Sequence, residues 1–153
     1  MKKARLLSVS FPGGGDGNVE TNRDQMVAHL ERAEAYRPDF VCFTEVAREL
    51  GEPKEAEAWH GEPIPGPTTD AIGDVARKYG THVIIGMQER VGDRTFNAAV
   101  LVGRDGEVMG TYHKVQPTIT EMNNGTLPGV EAPTWETDCG RVGMCICFDL
   151  KFP

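Results

Sequence analysis

The sequence predicts a mixed α/β fold, on three observations. Short apolar runs of strand length alternate with amphipathic helical stretches over the first half of the chain, two strand-like runs flank Arg104-Asp105-Gly106, and Pro/Gly-rich crossings join the segments without any linker or internal repeat. The 153 residues are 39% hydrophobic and 25% charged, which excludes disorder, collagen and coiled coil. A complete domain of this length buries about two-thirds of the surface its unfolded chain exposes, so one core is arithmetically possible.

The elements follow in order. Leu6 to Phe11 is apolar and β-prone and breaks at Pro12-Gly13-Gly14-Gly15, which predicts a first strand and a loop. Thr21 with Asp24 three residues later resembles a capping box. Met26, Val27, Leu30 and Ala33 then recur at helical spacing, so a helix is expected to end near Pro38. Phe40-Val41-Cys42-Phe43 is the continuous apolar run of a strand buried on both faces. After Pro63, Pro65, Gly66 and Pro67, a second amphipathic helix is marked by Ala71, Ile72, Val75, Ala76 and Tyr79, with Gly80 placed to end it. Val83-Ile84-Ile85 reads as the next buried strand. Asn97 to Val102 and Glu107 to Tyr112 read as an antiparallel pair about the Arg104-Asp105-Gly106 turn. A loop from Pro117 to Pro133 leads to a last strand, Arg141 to Cys147.

Charge and cysteine usage narrow the function. With 16 Lys+Arg against 23 Asp+Glu the net charge is −7, which argues against a non-specific nucleic-acid binder or a polybasic membrane-surface protein, since both need a positive field. No apolar stretch approaches the ~20 residues that cross a bilayer. The opening MKKARLLSVSF has a signal-like basic start, but its apolar run is short and GGGDG follows, so it reads as a strand. The four cysteines, Cys42, Cys139, Cys145 and Cys147, lie in apolar runs rather than in a spread disulfide framework, which points to a reducing cytoplasm.

Mixed α/β folds usually place their chemistry at strand ends, and four residues sit there or in the adjoining loops. Cys147, before Phe148-Asp149, reads alone as a small buried hydrophobe. Glu45, directly after the Phe40 strand, is either a solvated strand end or a site residue, and Lys114, after the Glu107 strand, carries the same ambiguity. Glu121 alone reads as surface. Together they are the parts needed to cleave an amide: a thiol, a carboxylate base to take its proton, and a cation to stabilise a developing oxyanion. Weaker signals are set aside. Cys145 and Cys147 are ~6.5–7 Å apart at i and i+2 on a strand, at or beyond disulfide reach, which leaves Cys145 as core packing. The Gly13–Gly17 run lacks the Gly-Lys-Ser/Thr ending of a phosphate cradle and reads as a flexible loop. His29, His60, His82 and His113 do not group in sequence, and Trp59 and Trp135 either line a pocket or pack.

These segments resemble the nitrilase superfamily of carbon–nitrogen hydrolases. The resemblance runs the length of the chain: F-V-C-F-T-E ends at Glu45, with Thr44 where the family usually has Pro; G-T-Y-H-K ends at Lys114; K-V-Q-P-T-I-T-E ends at Glu121; and G-R-V-G-M-C-I-C-F-D-L-K-F-P carries Cys147 in the nucleophile position. It implies the N-terminal half of a four-layer α-β-β-α sandwich with mixed β-sheets, working through a covalent thioester. Glu45 would be the base, Lys114 and the Phe148 N–H would hold the oxyanion, and Glu121 would orient the substrate or Lys114. No metal or organic cofactor is required, and a homo-oligomer is expected. Phe148-Asp149 after the nucleophile favours amide or N-carbamoyl substrates, whereas Pro117-Thr118-x-x-Glu121 resembles the nitrile-hydrolysing branch. The alternatives are nitrile hydrolysis at the same site, or an inactive fragment serving as an interaction module. Against the family, residues 1–153 read as a hydrolase domain truncated after the nucleophile segment, about half of one, with sheet edges that a second chain or further chain would have to cover.

Overall fold

The computed structural model describes residues 3–13, 18–53 and 57–152. Apolar runs too short to bury themselves alone pair into a six-stranded sheet. β1 (Leu6–Ser8), β2 (Phe40–Cys42) and β3 (His82–Val91) run parallel, and β3, β4 (Arg94–Val102) and β5 (Val108–His113) run antiparallel. The sheet is therefore mixed, as expected, and its parallel half is joined through two crossover helices, α1 (Val19–Ala33) and α2 (Pro67–Tyr79). β6 (Thr126–Leu127) adds to β4 beyond the end of β5, and β7 (Thr134–Thr137) with β8 (Gly140–Gly143) forms a separate two-stranded sheet.

Several boundaries differ from those read in the sequence. β1 stops at Ser8, three residues short of Phe11, although Val9 still donates to the Cys42 carbonyl at 2.8 Å. α1 is capped by Asn18, whose side chain accepts from the Glu20 and Thr21 N–H groups at 2.9 and 3.2 Å, so Thr21 lies inside the helix and not at its cap. Met26, Leu30 and Ala33 are buried along it. α2 matches its expectation: Pro67 opens it and Gly80 ends it in a left-handed conformation, φ 62°, with its N–H on the Ala76 carbonyl. β3 runs on to Val91, past Ile85, because β4 pairs with it over nine residues and Gly92 makes the turn. The Pro117 to Pro133 loop contains a short helix, α3 (Ile119–Asn123), as well as β6. The last strand ends at Gly143, not Cys147. Residues 144–146 alternate without a partner strand, Met144 and Ile146 turning inward and Cys145 outward, so Cys145 is exposed and not core packing. The phosphate-loop question falls on residues 14–17, outside the described residues.

The two faces of the sheet differ. Met26, Leu30 and Ala33 of α1 and Ile72, Val75 and Ala76 of α2 bury against Val41, Val83, Ile85, Met87, Val100 and Val102, forming the main core. On the other face Ala99, Tyr112 and Ile146 form a smaller cluster with Ile84, Val115, Trp135 and Met144 packed on it, which makes Trp135 a packing residue. No helix among the described residues is long and apolar enough to cross a membrane.

Candidate active site

Side chains alternate along a strand, so the residues between the core positions of β3 and β4 face away from the helices. Gln88 and Asn97 are such residues and stand opposite each other in register. Lys114 follows β5, its N–H donating to the Asn97 carbonyl at 2.9 Å, and joins the same face. These three line one cavity of about 320 Å³ with Glu45, Val46, Trp59, His60, Thr118, Glu121 and Cys147 among others. Glu45, Lys114, Glu121 and Cys147, read from separate segments, are thus brought together, and Trp59 is resolved as a pocket residue.

The turn carrying Glu45 is built to be held. Beneath it, Gly86 leaves room that a side chain would take: a Cβ there would lie 2.5 Å from the Thr44 carbonyl oxygen and 2.7 Å from the Glu45 Cα. Val46 adopts φ 47°, a conformation costly for a β-branched residue and enriched at functional sites. Just beyond, the Asn22 amide of α1 donates to the carbonyls of Arg48 and Leu50, both at 2.9 Å. Fully buried Glu49 accepts from the Gln88 N–H at 3.1 Å and from Arg48 at 2.6 Å, and Arg48 reaches Glu62 at 3.1 Å. Burial pushes the Glu49 carboxyl up to about 7, with the Arg48 charge pulling against it.

Lys114 is only 1% exposed, and a buried ammonium demands partners. It finds three oxygens: Glu45 Oε1 at 2.8 Å, Glu121 Oε1 at 3.0 Å and Glu121 Oε2 at 2.9 Å. Burial alone would lower its pKa, but the bonds to the two carboxylates raise it, so Lys114 remains a cation. Asn97 Nδ2 donates to the same Glu45 Oε1 at 2.8 Å and to Glu121 Oε1 at 2.7 Å. Thr118 caps α3 with a reciprocal box, its N–H on Glu121 Oε2 at 2.7 Å and its Oγ1 accepting the Glu121 N–H at 3.3 Å. For Glu121, burial would raise the carboxyl, but the Thr118 N–H, the Asn97 amide and the Lys114 ammonium outweigh it and hold it at about 2. One cation against two carboxylates leaves the cluster net negative.

Cys147 opens a 3-10 turn, Cys147–Lys151, with φ 46°, and its thiol is exposed to the cavity. The Glu45 charge, then burial and a hydrogen bond to Glu45, raise its pKa, with Lys114 opposing. These influences favour the protonated thiol of Cys147 beside the Glu45 side chain. Asp149 fixes this turn: Oδ2 accepts from the Ile146 N–H at 2.8 Å and the Tyr112 hydroxyl at 2.7 Å, and Oδ1 from the Gln116 N–H at 2.8 Å. Phe148 is partly exposed, its ring edge-on to Phe152. Sequence reasoning missed Asn97, Gln88 and His60 as lining residues and Asp149 as the anchor of the Cys147 turn. A polar residue within an apolar strand, as at Asn97, was the available signal.

Residues 13–153 match the family model described as carbon–nitrogen hydrolase, and the chain belongs to that family. A chloroplastic omega-amidase of Arabidopsis thaliana is 36% identical over 95 residues, 56% of this chain and 26% of its own length. A protein named nitrilase 3 from an unknown prokaryotic organism is 37% identical over 91 residues, 59% of this chain and 28% of its own length. Among solved structures, an amidase from Nesterenkonia sp. superposes with a TM-score of 0.83 at 18% identity, over 99% of this chain and 59% of that one, so the two share a mixed α/β fold over that part. The chain thus spans about a quarter of the curated relatives it matches and well under two-thirds of the amidase structure.

Proposed function

We propose that this chain carries the reacting groups of a cysteine-dependent hydrolase of non-peptide carbon–nitrogen bonds, acting on amide or N-carbamoyl substrates through a thioester. The observation that supports it most is the raised thiol of Cys147 facing the Glu45 carboxylate in the cavity that also holds buried Lys114. A thiol held protonated needs a base at the moment of attack. Glu45 takes the Cys147 proton as the sulfur bonds to the carbonyl carbon. The negative charge that appears on oxygen is met by the Lys114 ammonium and the Phe148 N–H. Glu45 then returns the proton to the departing nitrogen, the C–N bond breaks, and a thioester remains. Water attacks it with Glu45 again as base, releasing acid and free thiol. Glu121, with both oxygens on Lys114, orients that cation.

Nitrile hydrolysis at the same site is a second reading, favoured by the nitrilase relatives and by Thr118 capping Glu121. A cytoplasmic homo-oligomer belongs to the same proposal; it rests on the resemblance and on four free thiols among the described residues. The test is ammonia release from a panel of ω-amides, N-carbamoyl amino acids and nitriles, with Cys147→Ala as the blank. Hydroxylamine should trap the acyl group as a hydroxamate. Ammonia release that survives Cys147→Ala would refute the mechanism, and release from nitriles alone would select the second reading.

A further inference from the structure

The residue that ties the site together lies within a strand and carries no charge. Asn97 is 1% exposed in β4. Its single amide nitrogen donates to Glu45 Oε1 and Glu121 Oε1, and its backbone oxygen holds the Lys114 N–H. Lys114 Nζ reaches those same two carboxylate oxygens. Each is therefore held by two donors, one cationic and one neutral, and the four side chains close a ring.

Asparagine suits this position for a chemical reason. A primary amide carries two hydrogens on one nitrogen, so it serves two acceptors at once without adding charge, whereas a hydroxyl has one hydrogen and a second cation would neutralise the cluster. The amide's orientation is dictated by its neighbours, since turned over it would set its oxygen against two carboxylates. The arrangement leaves Oδ1 buried without a partner among the described residues, an unfavourable state that the two bonds at the other end maintain. The other groups facing the ring are the Cys147 thiol, from the turn after Ile146, and His60, from the segment before α2; no other described residue lining the cavity titrates.

We propose that Asn97 is a positioning residue for hydrolysis: its amide fixes Glu45 and Glu121 on either side of Lys114 and keeps both as acceptors, so that Glu45 is free to take the Cys147 proton. The inference rests on the reading of Glu45 as base and Cys147 as nucleophile. Removing the amide withdraws a donor from the ionised form of both carboxylates, and protonation then competes at higher pH. Because the carboxylates share Lys114, the observable is the macroscopic acid limb of the rate profile.

The test measures kcat/KM for amide hydrolysis by the full chain from about pH 4 to about pH 9, with thermal melts alongside, in wild type, Asn97→Ser and Asn97→Asp. Asn97→Ser should move the acid limb up by about one pH unit and lower kcat about 10-fold with little change in KM. Asn97→Asp, nearly isosteric, adds a third carboxylate and should move it further. A loss of rate with an unmoved limb is what a packing role gives, and it would overturn the proposal. If one variant does not melt cooperatively, the other carries the same criterion; if neither does, Asn97 serves the fold and the proposal fails. A wild type that releases no ammonia instead counts against the base and nucleophile assignment. The ring is then read by carboxyl ¹³C titration of Glu121, which should move up in Asn97→Ser and, if unmoved, overturns the role of Asn97 independently.

Discussion

The two faces of the six-stranded sheet are built on opposite terms. Among the described residues, sixteen buried apolar residues form one continuous core toward the helices, whereas the cluster toward the cavity has three, beside the polar Gln88, Asn97 and Lys114. Met87 and Gln88 are neighbours in the chain, as are Ala98 and Asn97, yet each pair divides between the faces. The difference teaches that stability and chemistry are separated here by the thickness of one backbone layer. The helix face supplies the buried apolar packing, and the other face carries a buried cation, two carboxylates and two residues of left-handed backbone nearby.

That division can be broken or sharpened by substitution. The largest effect is expected on the cavity face: Cys147→Ala should lower amide hydrolysis by at least about 10³-fold, with an unchanged melting curve because position 147 is exposed. On the helix face, Ile85→Ala empties a fully buried site and should cost about 2–5 kcal/mol in denaturant unfolding. Its kcat per folded molecule should stay within a few-fold. A large drop in kcat at full folding would show that the faces are not separable.

Gly86→Ala probes the boundary between them. Its Cβ would press on Thr44 and Glu45, and a displacement of Glu45, the proposed base, should lower kcat by about 10²-fold, more than the loss of stability explains. Asp149→Asn acts more gently, loosening the Cys147 turn for a fall of about 10-fold in kcat. It has an independent readout, since burial and the bond to Asp149 push the Tyr112 phenol up to about 12; an ultraviolet titration should find it lower in the variant.

The smallest effect concerns pH. A carboxyl raised in the folded state binds protons that the unfolded chain has released, so the Glu49 contribution is fully present below about pH 4.5 and is lost as pH rises through about 7. Depressed Glu121 acts in the opposite sense, its contribution present above about pH 4.5 and lost as pH falls toward about 2. Glu49→Gln should therefore flatten the decline in stability between those first two values, read as denaturant midpoints, without moving the acid limb of the rate profile.

Much of the fold was legible because it is written in periodicity. Met26, Leu30 and Ala33 announce the buried side of α1, and Gly80 announces the end of α2. The four positions proposed to react were legible only through resemblance, since Glu121 alone looks like surface. Asn97 was not legible as a ring member: its partners lie 52 and 24 residues away, and nothing local distinguishes an amide that serves two carboxylates from one at a strand edge. In the sequence Asp149 bears only on substrate preference, whereas its hydrogen bonds give it the task of holding the turn. The length of β3 escaped because Gly86 and the polar residues after it break the apolar run, and the reason Gly86 is there is the passing chain at Thr44.

Val46 and Cys147 both hold a left-handed backbone without being glycine. This sets a direction for change under selection for heat resistance alone. Easing either bend, by Val46→Gly or by a shift of the turn at Cys147, would relieve local strain while letting Glu45 or the Cys147 sulfur wander from the positions the proposed reaction needs. Variants chosen only for survival at high temperature should therefore collect such changes next to Glu45 and Cys147, and a library screened for melting temperature needs a second screen for turnover to keep them out.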